Sequence, residues 1–154
     1  MIETNAVLRA VEAALGSSFP GEPVYWDQLP KNFARPSFTL EAQKEEWVDA
    51  AIGLVRRTLT VLVTGYAAAD DYHDSSREEL NRRESAVLAL FGKGYLSLED
   101  RALTVQANKG TGTPDFMEVS VVFSWMDSRP GYQDPETATE PKMEHFVFRV
   151  NGKD

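Results

Sequence analysis

The residues best equipped for chemistry in this chain are Asp70, Asp71, His73 and Asp74, three carboxylates and an imidazole within five positions. Such a group could offer oxygen and nitrogen ligands to a divalent ion, and a bound ion could activate water for hydrolysis. The spacing lacks what ligand loops need: there is no calcium-loop glycine, no terminal glutamate and no His-x-x-x-His pair. The cluster also stands just before a predicted helix start, where carboxylates complement the positive end of the dipole without a metal. It is therefore read as a solvated acidic run, not as a metal site.

Other constellations fare no better. His73 and His145 are the only histidines, and neither lies near a Gly-x-Ser-x-Gly nucleophile turn. The segment Lys109-Gly110-Thr111-Gly112-Thr113 looks like a phosphate loop, but its lysine precedes the glycines and no helix follows to lend its amide end. A hairpin turn is the better reading. Neighbouring carboxylates such as Glu45-Glu46 and Glu78-Glu79 diverge on a strand or helix and do not share a site. The chain has no cysteine, which removes disulfides, thiolate metal ligands and a cysteine nucleophile together. No catalytic, cofactor-binding or metal-ligating residue is assigned, and no enzyme is expected.

The elements that would carry a site follow from periodicity. Val7, Leu8, Val11, Ala14 and Leu15 recur at helical spacing over Thr4 to Leu15, with Gly16 placed to close that helix and Pro20 and Pro23 barring its continuation. A short strand Val24-Tyr25-Trp26 follows, then an irregular crossing from Leu29 to Pro36, then strand-like alternation over Ser37 to Ala42. The part from Gln43 to Leu54 fits helix and strand equally well. Thr58 to Tyr66 alternates with Leu59, Val61 and Val63 on one face, as a half-buried strand does. Ser75 and Ser76 each have a glutamate three residues on, a capping box that opens a second helix with a stripe of Leu80, Val87, Leu88 and Phe91. Glu78 with Arg82 and Glu79 with Arg83 are expected as ion pairs four apart, and Gly92 as the stop. Leu103, Val105 and Ala107 alternate, the chain turns over Asn108 to Pro114, and Met117, Val119, Val121, Phe123 and Trp125 alternate again. A last strand carries Phe146, Phe148 and Val150, and Asp127 to Met143 before it reads as a flexible arm. The fold class expected is α+β, a mostly antiparallel sheet of five or six strands packed by two helices in one domain over residues 1–154.

Charge and hydropathy bound the function. A net charge of −8 and a pI near 4.8 argue against the basic groove that grips nucleic acid. No apolar stretch approaches the ~20 residues of a membrane span, and the start lacks a basic segment followed by an apolar run, so the expectation is a soluble cytoplasmic product.

One run adds what composition does not contain. The amphipathic first helix, Phe19-Pro20, Val24-Tyr25 and Phe33-Ala34-Arg35-Pro36-Ser37-Phe38-Thr39-Leu40 resemble the tail terminator family of long-tailed bacteriophages and their prophage relatives. Phe33, Pro36, Ser37 and Phe38 match the family's Gln-Gly-Phe-x-x-Pro-Ser-Phe-like segment, with Lys31-Asn32 in place of Gln-Gly. The resemblance implies a structural protein that caps the tail tube as a ring, a hexamer, ends polymerisation and offers the head-joining surface. It implies no cofactor, and as partners further copies of the chain, the tail tube protein and a head-completion or connector protein, at the head-proximal end of a virion tail assembled in the host cytoplasm. DNA would pass through unbound, which the acidic balance suits. Arg35, Arg56, Arg57, Arg129 and Tyr132 are the interface candidates, because arginine and tyrosine concentrate at contact hot spots. The connections Asn108 to Pro114 and Asp127 to Met143 are expected to reach neighbours. The alternatives are a head–tail joining protein and a small acidic immunity or inhibitor-type binding protein.

Overall fold

A computed structural model describes residues 1–69 and 75–132. The elements run α1 (Thr4–Ser18), β1 (Val24–Trp26), β2 (Ser37–Ala51), β3 (Leu54–Tyr66), α2 (Arg77–Leu90), β4 (Tyr95–Leu98), β5 (Arg101–Lys109) and β6 (Met117–Ser128). The six strands form one sheet in the order β1-β2-β3-β6-β5-β4. Every pairing is antiparallel except β1 with β2, so the α+β class holds but the sheet is mixed. The parallel pair arises because the crossing from Asp27 to Pro36 returns the chain to the same end before β2 begins.

Both helices lie on one face. Val7, Leu8, Val11 and Leu15 of α1, with Leu80 and Val87 of α2, join Leu59, Val61 and Val63 of β3 and Val119, Val121 and Phe123 of β6 in a single core. Alternation places these strand residues on the helix side, while Thr58, Thr60, Ser120 and Ser124 face the other way. Burying the larger of these side chains contributes about 1.5–3 kcal/mol each.

Several expectations are corrected in detail. Gly16 does not close α1, which continues to Ser18 until the approach of Pro20; the Phe19 amide then donates to the Leu15 carbonyl at 2.8 Å. Ser76, as expected of one of the two serines, caps α2, accepting from the Glu79 amide at 3.3 Å. Arg83 does not pair with Glu79: it is buried, because it occupies the inward stripe with Leu80, Glu84 and Val87, and it binds Glu22 at 3.2 Å instead. Gln43 to Leu54, open between helix and strand, forms the far half of β2 and the turn into β3. Tyr95–Leu98 is a strand that the sequence reading did not include. Asp127 and Ser128, placed in the arm, complete β6. The expected last strand at Phe146, Phe148 and Val150, the remainder of the arm and the cluster Asp70, Asp71, His73 and Asp74 lie outside the described residues.

Candidate functional site

The β2–β3 hairpin dominates the molecule. Its strands pair from Ser37 opposite Tyr66 to Ala51 opposite Leu54, with register shifts between Ala42 and Lys44 and between Asp49 and Ala51. Such shifts bend and twist an edge strand. The near half, Ser37 to Leu40, is covered by β1 and the helices. From Glu41 onward β2 is exposed on both faces apart from the half-buried Glu45, and at the tip Ile52 is 80% exposed. Trp47, Val48, Leu54, Met126 and Tyr132 add exposed apolar surface around that tip. They divide between the two faces of the hairpin, Trp47 on the Arg57 side and Val48 and Met126 on the Arg56 side; large apolar side chains exposed at one end of a domain are candidates for contact.

A buried ionic knot fixes the middle of the hairpin to the body. Arg57 is 3% exposed and lies between two indoles, its guanidinium carbon 4.3 Å from the Trp47 ring centroid and 4.8 Å from that of Trp125. Its Nε donates to Glu45 Oε2 at 2.8 Å, and one terminal nitrogen donates to Asp127 Oδ2 at 3.0 Å and to the Ile2 carbonyl. Asp127 also accepts from the Ile2 amide at 2.9 Å, Arg101 at 3.0 Å and the Trp125 indole at 3.3 Å. Burial alone would push the Asp127 carboxyl up, but these donors outweigh it and hold the group well below the usual carboxylate range. Glu45 shows the same balance: burial raises it, while bonds from Thr4, Arg57 and Trp47 bring it below its ordinary value.

The interface candidates thus separate. Arg57 is spent inside the fold and presents no free guanidinium to a neighbour, because its strand parity with Val55 and Leu59 turns it inward. Arg35 is also engaged internally, with Asp115 at 2.7 Å, the Ala67 carbonyl at 3.2 Å and the rings of Phe33 and Tyr66 beside it. Arg129 binds Asp49 at 2.9 Å and the Ile52 carbonyl at 2.8 Å, so it clasps the hairpin turn. Tyr132 lies across Gly53, where any Cβ would come within 2.6 Å of its ring. Arg56 and Tyr132 remain exposed, Arg56 between Val48 and Met126 on the face away from the helices. Asn108 to Pro114 is not free to reach outward as expected. The Gly110 amide donates to the Glu118 carbonyl at 2.8 Å, Arg77 donates to the Thr113 carbonyl, and the Ser75 amide donates to that of Pro114 at 2.9 Å.

Trp47, Val48, Ile52 and Met126 are surface features with no signal in the sequence, because the Gln43 to Leu54 segment fits helix and strand equally well and Met126 continues a strand recognised by alternation alone. Among the described residues no three His, Cys, Asp or Glu side chains converge as metal ligands. An open depression of about 520 Å³ beside α1, lined by Arg9, Glu12, Glu22 and Val24, brings together no nucleophile and base. In comparison with known proteins, no family model matches the chain and no curated protein matches its sequence.

Proposed function

We propose that this chain is a non-enzymatic assembly protein, a phage tail terminator that closes into a six-membered ring on the end of the tail tube. The observation that carries the assembly reading is the hairpin: a rigidly anchored arm whose apolar tip is displayed to solvent. A folded monomer gains nothing from exposing Ile52 at the tip, Val48 on one face and Trp47 on the other; a docking partner that covers them does. The tail-terminator reading adds the resemblance of Phe33, Pro36, Ser37 and Phe38. These residues line the entry to β2, with Phe33 4.9 Å from Tyr66 and Phe38 4.9 Å from Phe19. In the ring, the tip of each hairpin contacts a neighbouring copy or the tube, the far side receives the head-completion protein, and DNA passes without specific binding. No cofactor takes part, and the protein resides at the head-proximal end of the tail.

Light scattering tests the reading. A closed ring of six 17.2-kDa chains has a mass of roughly 100 kDa, formed alone or on addition of tail tubes. A chain that stays monomeric and leaves tube length unchanged overturns it. A stable one-to-one complex with a basic enzyme would instead favour an inhibitor.

A further inference from the structure

We propose that the Ile52 tip of the β2–β3 hairpin docks into the depression beside α1 of a second copy of the chain, so that each copy carries a knob at one end and a hole at the other. This contact deepens the assembly reading and rests on it in requiring a second copy. The depression, about 520 Å³, has walls of Ala13, Gly16, Pro23 and Val24 between its charged side chains. That space takes an isoleucine side chain with the turn backbone beside it, and Ile52 is the most exposed large apolar side chain among the described residues.

Gly16 marks the hole. It stands within α1, its backbone is not in the left-handed region, and a Cβ there would meet nothing within 4 Å. Alanine or leucine would therefore fit the isolated chain, and either favours a helix more than glycine does. A glycine that the single chain does not need is accounted for when another backbone approaches that surface closely.

Charge and position select the occupant. Over Val48 to Arg56 and Met126 to Tyr132 the charges that reach solvent are Asp49, Arg56 and Arg129, two cations against one anion in a chain of net charge −8. The depression carries Arg9, Glu12 and Glu22, two anions against one cation. Tip on depression sets unlike sums together, whereas tip on tip sets like against like. Among the described residues Arg9 and Arg56 make no ion pair within the chain, which leaves both for a partner. The depression lies beside Val24, which pairs with Phe38 at the start of β2, while Ile52 follows the end of that strand. Pairing with β3 holds β2 extended between them, so the two sites stand roughly 40 Å apart and do not meet within one chain. A contact between different patches at opposite ends is heterologous, and repeated by rotation it closes a ring.

The cysteine-free sequence makes the test direct. Full-length Ile52→Cys chains are mixed with Gly16→Cys chains and oxidised with a glutathione redox couple, with Glu78→Cys on the exposed side of α2 as the control partner. Mass spectrometry of the linked peptides finds positions 52 and 16 joined at about ten times the yield of 52 and 78 or more, since only docked chains hold the sulfurs at bonding distance. Gly16→Leu, which projects into the hole, weakens self-association in sedimentation by about tenfold or more without lowering the thermal midpoint. A yield no higher than the control, a link mostly between two copies of position 52, or a Gly16→Leu chain that associates like wild type overturns the proposal. Six-membered rings that form with the 52–16 yield at the control level reject this contact and leave the tail-terminator reading standing. A strong 52–16 link in chains that leave tail tube length unchanged does the reverse.

Discussion

Replacing Asp127 by alanine removes the acceptor that Ile2, Arg57, Trp125 and Arg101 share. Arg57 would keep Glu45, but its second carboxylate and the ring of donors around Oδ2 would have no counter-group in a site sealed from water. Deleting one partner of a buried ion pair costs about 3–5 kcal/mol. That is a large share of the ~5–15 kcal/mol that holds a domain folded. In urea the midpoint falls accordingly, and the thermal midpoint drops by ~6–20 °C at ~2–4 °C per kcal/mol. Asp49→Ala is the internal comparison, because its bond to Arg129 is exposed and worth at most ~1 kcal/mol. The double variant Arg57→Met, Asp127→Leu recovers part of the loss, since an apolar pair leaves no unmatched charge. An Asp127→Ala loss no larger than that of Asp49→Ala would refute the reasoning. The pH dependence has a defined sign. The folded carboxyl is depressed, so its stabilisation is fully present above the unfolded value of ~3.9 and disappears as pH falls toward the folded one. Wild-type stability therefore declines below about pH 4, by up to ~1.4 kcal/mol per unit from this group, and Asp127→Ala shows a shallower decline.

Other substitutions probe separate parts of the molecule. Arg83→Ala should cost about 3 kcal/mol in chemical denaturation, because Arg83 is buried, bound to Glu22 and stacked on Phe19 and Phe38; Arg83→Lys should restore only part of it. Ser76→Ala should remove about 1 kcal/mol through the lost α2 cap, with hydrogen exchange rising in the first turn before the rest of the helix. Ile52→Ser should leave stability within ~0.5 kcal/mol yet reduce self-association or tube binding, measured by sedimentation. A lost fold with Ile52→Ser would place the hairpin tip in the core instead of at a contact.

Legibility in the sequence tracked burial. α1, α2, β3 and the β5–β6 hairpin were readable because one side of each meets the core, and that meeting writes a period of 3.6 or 2 into the residue types. The far half of β2 has solvent on both sides, so nothing forces its residues to alternate, and its strand character comes from pairing with β3. β4 is four residues long and too short for a period to show. The buried charges were missed although their positions announced them. Arg57 shares strand parity with Val55, Leu59, Val61 and Val63; Asp127 shares it with Val121, Phe123 and Trp125. Arg83 stands three residues after Leu80 and four before Val87. A charged residue on an apolar parity is the signal of an internal ion pair, and reading residue type ahead of position assigned Arg57 to an interface.

The knot that joins Ile2 to Asp127 also orders events during synthesis. The β2–β3 hairpin needs only neighbouring sequence and can form once Tyr66 has emerged, with Glu45 already beside Arg57, but the second carboxylate of the knot, Asp127, is made about sixty residues later. At ~5–20 residues per second the nascent chain spends ~3–12 s with its N-terminal helix unanchored and the β6 side of β3 bare. Throughout that interval the long, apolar-tipped hairpin stands without its β6 neighbour, so the two halves of the knot meet only when the last described strand is in place.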